Sequence, residues 1–189
     1  MGTKITSFST VFVFVFALCG SFSVFSQDTR VDNHQITVDV PAVALLDLET
    51  TGSKNFTAAF TQPTPLEAGE KLTAPAANST LWLNYSSIQT ATTTKRVDVK
   101  SDVLVNGVDI HLVAGASASG FGTKGTPTAG FNLTAADQIL VNGIGSAYTL
   151  TGPSNGHQLT YTFASLDANY AALRSGSTIV TVTYTLADN

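Results

Sequence analysis

Gly152-Pro153-Ser154-Asn155-Gly156 has the spacing of a nucleophile elbow, G-x-S-x-G, and His157 follows it directly. That motif supports acyl transfer when a sharp strand-to-helix turn exposes the serine hydroxyl to a nearby base. Here Leu159, Tyr161 and Phe163 alternate with polar residues after it, so a strand follows and the segment reads as a hairpin loop. Gly120-Phe121-Gly122-Thr123-Lys124-Gly125 matches a dinucleotide fingerprint, whose glycines must open a helix that meets the pyrophosphate with its N-terminus. Pro127 and Gly130 follow without a helical period, which predicts a mobile loop from Ser117 to Gly130, free to contact a partner. His34, His111 and His157 have no companion at i+2 or i+4 that would place two metal ligands on one face. Asp98, Asp102 and Asp109 surround one expected hairpin without calcium-loop spacing and read as solvated charges. No pair of carboxylates is singled out for glycoside hydrolysis, since their separation is a three-dimensional quantity. The chain therefore offers no catalytic residue, no cofactor site and no metal site, and it reads as a non-enzyme.

Trp82 has more to offer. On a regular strand it shares a face with Thr80, Asn84 and Ser86, while Leu81, Leu83 and Tyr85 take the other. An indole on a polar face can stack on a sugar, or it can lie under a loop or against a sheet edge. Trp82, Phe121 and Lys124 are the candidate contacts for a partner or a glycan. Four sequons, at Asn55, Asn78, Asn84 and Asn132, are candidate glycosylation sites.

Nine basic and thirteen acidic residues give a net charge of −4 with no block of like charge, so a nucleic-acid partner is not expected. Lys4, the apolar run Val11 to Leu18 and the modest side chains Val24 and Ser26 before Gln27 form an export signal, predicted to be cleaved after Ser26. That run is well short of the roughly 20 residues that span a bilayer, and no later segment comes close. Residues 27–189 are then a single secreted, periplasmic or cell-surface domain, without disulfides because the lone Cys19 leaves with the signal.

Apolar residues recur at every second position along this domain. Ile36, Val38 and Val40 open a candidate edge strand that continues past Pro41 to Leu48. Further strands are predicted around Phe56–Phe60, Leu81–Tyr85, Val97–Val105, Val108–Leu112, Ile139–Val141, Tyr148–Leu150, Leu159–Phe163 and Val180–Leu186. Asn106-Gly107 and Asn142-Gly143 are read as the turns of two similar hairpins, and Leu166 to Arg174, with Ser165 as N-cap, as a short helix. Thr181, Thr183 and Thr185, with Thr160 and Thr162 and the pair Thr149 and Thr151, suggest flat threonine rows of the kind an ice-binding face uses, although threonine is also simply a good exposed-strand residue. The expected fold is all-β: an antiparallel two-sheet β-sandwich of about nine strands, Ig-like or pilin-like, with at most one short helix.

The ending Tyr170 to Asp188, with its Ser-Thr-Ile-Val-Thr-Val-Thr-Tyr-Thr-Leu run, resembles the final strand of secreted bacterial surface sandwiches. It is similar to the closing strand of spore-coat-U-like and chaperone–usher pilus subunits and to the end of Trp-x-Leu cell-wall domains. Phe25-Ser26-Gln27 resembles the signal ending of Bacteroidota exports. The resemblance implies assembly by strand donation or peptidoglycan binding. The chain departs from it in lacking the pilus disulfide and in carrying Tyr184 where the cell-wall domains have Trp. The leading expectation is thus a structural or adhesive envelope protein that works through a protein partner or self-association. A carbohydrate- or peptidoglycan-binding module is the alternative.

Overall fold

A computed structural model describes residues 30–90 and 92–189; the expected export signal, with Lys4 and Cys19, lies outside them. The chain divides into two units, residues 1–38 and residues 39–189. In the first, residues 31–38 form neither strand nor helix, and Ile36 and Val38 are 75% and 79% exposed.

The second unit is nearly all β, as the two-residue period predicts. Its strands are β1 (Val43–Glu49), β2 (Asn78–Ile88), β3 (Lys95–Ser101), β4 (Asp109–Ala114), β5 (Phe121–Pro127), β6 (Phe131–Asn132), β7 (Gln138–Tyr148), β8 (His157–Ala164) and β9 (Val182–Asp188). A 3-10 helix, Asp167–Ala172, is the one helix among the described residues; Leu166 caps it in place of the expected Ser165, without a side-chain hydrogen bond. All pairings are antiparallel, in the order β6-β4-β8-β2-β7-β3-β9, with β1 also on β2 and β5 also on β7. Hydrogen bonding therefore runs through the two expected sheets without a break, the join being the short meeting of β2 and β7 at Ser86–Ser87 and Ala147–Tyr148.

Four strand spacings separate β8 from β9 in that order, about 19 Å in a flat sheet. Yet the hydroxyls of Tyr161 on β8 and Tyr184 on β9 are hydrogen-bonded to each other. The sheet must fold back across its own inner face. Leu81, Leu83 and Tyr85 of β2, Val97 and Val99 of β3, Leu112 of β4, Leu140, Val141 and Ile144 of β7, and Leu159 and Tyr161 of β8 form the buried cluster between. The excursion from β1 to β2 closes one side of this core with Phe56, whose ring meets Tyr161 and Phe163 edge-on at 5.5 and 6.2 Å. Because Phe56 keeps 38% of its surface exposed, Phe56→Ala is expected to cost only about 1–2 kcal/mol in urea unfolding.

Several local expectations are corrected. Ile36, Val38 and Val40 belong to no strand; the first strand starts at Val43, two residues beyond Pro41. Proline lacks the amide that a ladder needs, so the break falls there. Phe56–Phe60 is not a strand either. Asn106-Gly107 does form a turn, closed by the Val108 amide on the Val105 carbonyl at 3.0 Å, but β3 and β4 on its two sides are not paired. Asn142-Gly143 lies inside β7: Lys95 and Val97 of β3 face Ile144 and Val141, so three steps oppose two and the dipeptide forms a β-bulge. Positive φ suits both a turn and a bulge, so the dipeptide alone does not tell them apart.

Candidate functional site

His157 opens β8 with its side chain inside the protein, fully buried. Its Nδ1 lies 2.8 Å from the Gly115 carbonyl and its Nε2 3.0 Å from the Tyr85 hydroxyl. The two rings stack, with centroids 5.6 Å apart. With Nδ1–H donated to Gly115, Nε2 is left as an acceptor, and the Tyr85 hydroxyl also contacts the Lys124 carbonyl. One phenolic proton thus faces two acceptors. Burial holds His157 below the usual histidine range, and the Lys124 ammonium pushes the same way. Burial also pushes Tyr85 well above the usual phenol range. Across the core, burial raises Tyr161 to about 12, and Tyr184 is raised by burial and by Tyr161 beside it.

That geometry removes the base from the elbow motif. Ser154 has the positive φ, 67°, of a strained turn, but both imidazole nitrogens of His157 are already engaged elsewhere. The loop from Gly152 to Gly156 instead covers Asn84, whose Nδ2 donates to the Gly152 carbonyl at 2.9 Å. Asn84 is buried, so its sequon is closed to modification in the folded chain. The glycine-rich segment is no mobile loop: residues 121–127 are β5, paired along β7. Gly120 and Gly122 let its backbone press so closely on β7 that a Cβ at either would overlap a carbonyl oxygen of Tyr148 or Ser146.

The remaining candidates disperse. His111 pairs with Asn132 at 3.0 Å, and no group of three His, Cys, Asp or Glu able to hold a metal occurs among the described residues. Asp98 is held by Arg96, and Asp102 accepts the Thr181 amide at 2.7 Å, so the hairpin carboxylates serve separate ends. Thr183 and Thr185 lie on β9 and Thr160 and Thr162 on β8, on strands that are not neighbours, so the threonines make no common row. A cavity of about 820 Å³ between residues 63–74 and 163–166 has Glu67, Glu70 and Lys71 in its wall, with Lys71 bound to Asp167.

Trp82, Phe121 and Lys124 are not brought together. Lys124 donates its ammonium to the Ser119 carbonyl at 2.8 Å. Trp82 is half-buried in a row across three strands with Glu49 and Gln158. Phe121 belongs to another row, Leu45–Ser86–Tyr148–Phe121, whose register runs through β1, β2, β7 and β5. Trp82 lies four residues from Ser86, about 14 Å along the strand, and Phe121 two strands across, about 10 Å. No single sugar ring spans that gap. Tyr148 and Leu45 were missed as companions of Phe121 because cross-strand register is not local information.

No family model, curated protein or solved structure matches the chain.

Proposed function

We propose that the protein is an exported, non-enzymatic structural or adhesive protein of the cell envelope or extracellular space, acting through protein contacts or self-assembly. The observation that carries this reading is the segment ahead of β1. Ile36, Val38 and Val40 are 75%, 79% and 67% exposed and alternate with Thr37 and Asp39, yet they belong to no strand of their own chain. A period-two apolar pattern held in water has the form of a strand that lacks a sheet. The edge of β9 offers a matching template: its seven residues pair in unbroken register with β3, and no other described strand pairs with it. Main-chain hydrogen bonds to such an edge supply affinity, and alternate side chains supply specificity. Of the other edges, β6 has two residues and β5 carries a register shift, while β1, as regular as β9, directly continues the segment that would be donated.

Deleting residues 27–40 should convert oligomers to monomers in sedimentation velocity while the melting temperature of the remaining domain changes little. Oligomers that survive the deletion would refute the proposal.

A further inference from the structure

We infer that the row Leu45–Ser86–Tyr148–Phe121 is a shallow binding stripe for an uncharged, extended polysaccharide chain. Paired residues of an antiparallel ladder point to the same face. Leu45, Tyr148 and Phe121, which are 66%, 45% and 71% exposed, therefore stand side by side on one surface, with Ser86 between the first two. The Phe121 and Tyr148 rings are in contact, with centroids 6.1 Å apart and planes tilted by 49°. They stand on a firm base, because β5 is seated on β7 backbone against backbone at Gly120 and Gly122.

Size and charge select the occupant. Three strand spacings by one residue pair give a footprint of roughly 15 by 7 Å. That is far below the roughly 800 Å² per partner that a standard protein interface covers. A narrow chain fits it; a folded protein does not. Asp47, in the adjoining row two residues along β1 from Leu45, is neutralised by Lys54 at 3.0 Å, so it adds no net charge to draw in a polyanion or a polycation. Aromatic and aliphatic faces interrupted by a hydroxyl suit a sugar, whose C–H face covers the rings while its hydroxyl groups reach Ser86 and the edge of the row. The inference goes beyond strand addition and does not depend on it, since it uses none of residues 27–40.

Affinity electrophoresis of the full chain tests it, in native gels containing hydroxyethyl cellulose, dextran or polygalacturonate. Retardation by either neutral glucan is expected. Phe121→Ala and Tyr148→Ala should each weaken it several-fold and the double variant about tenfold, with unchanged melting temperature, while Phe121→Tyr retains it. Leu45→Ser, on a different strand at the far end of the row, should weaken it independently of how the two aromatic variants fold. Retardation by polygalacturonate alone, no retardation in any gel, or full retention by the double variant would overturn the inference. So would loss of oligomers in the double variant, which would make the row a protein interface instead.

Discussion

Gly120→Ala is expected to lower the melting temperature by about 6–12 °C, equivalent to about 3 kcal/mol in a chain of this size. Gly120 has φ +82°, and a Cβ built there would lie 1.9 Å from the Tyr148 carbonyl oxygen and 2.6 Å from the Thr149 Cα. Both obstacles are backbone atoms, so no side-chain rotation relieves the overlap. Either β5 lifts from β7 and forfeits its ladder, or β7 shifts and disturbs its pairing with β2 next to the core. Gly152→Ala is the control. Gly152 has a similar φ of +89° but nothing within 4 Å of an added Cβ, so only the left-handed conformation is penalised, at about 1 kcal/mol or about 2–4 °C. Calorimetry measures the difference, and hydrogen exchange over residues 121–127 tells whether β5 detaches alone or with the sheet. Equal losses in the two variants, by both measurements, would show that β5 is not seated in this way.

The same glycines explain where the sequence was legible and where it was not. Val182, Tyr184 and Leu186 alternate with threonines, and Leu81, Leu83 and Tyr85 with Trp82 and Asn84, and each set is half of a strand that packs inward. Such segments declare themselves because one face is buried and the other is not. β5 has no such alternation: its Phe-Gly-Thr-Lys-Gly-Thr-Pro sequence looks like loop chemistry, and what makes it a strand is the closeness of β7, which only small residues permit. Asn142-Gly143 interrupts the pattern of β7 and so predicts two strands, although a bulge carries one strand through to Tyr148. Ile36 to Val40 shows the converse error, an ideal strand pattern with no sheet beneath it in its own chain. Of the candidate sites, Phe121 was visible as a lone exposed aromatic, but its row depends on three registers set by residues far apart in sequence. His157 falls on the inward face of the Leu159–Tyr161 alternation, which signals burial, but its partners Gly115, Tyr85 and Lys124 lie on different segments and leave no trace in the sequence.

Acidification is expected to erode stability from about pH 6.5 downward, with His157 contributing up to about 1.4 kcal/mol per pH unit. Burial is the main cause of its lowered pKa and the Lys124 ammonium adds to it, whereas hydrogen bonds with the Gly115 and Lys124 carbonyls favour the proton and are outweighed. The unfolded chain takes up a proton near the ordinary histidine value while the folded chain still refuses it. Between the folded and unfolded pKa values the unfolded state therefore binds more protons, and stability rises with pH. The contribution is complete above about pH 6.5 and declines as pH falls towards the folded value. A second proton on the ring would let Nε2 donate to Tyr85 and leave the phenolic proton for Lys124, so the hydrogen bonds could all be made. What opposes it is a buried charge facing Lys124, and relief comes by loosening the packing around the ring so that water reaches it. His157→Gln should cost about 1–3 kcal/mol at pH 8, because the Gly115 carbonyl or the Tyr85 hydroxyl loses its partner. It should also flatten the decline between pH 6.5 and 5 in urea titrations. A variant as steep as the wild type over that interval would assign the acid sensitivity to other groups and leave His157 a purely structural residue.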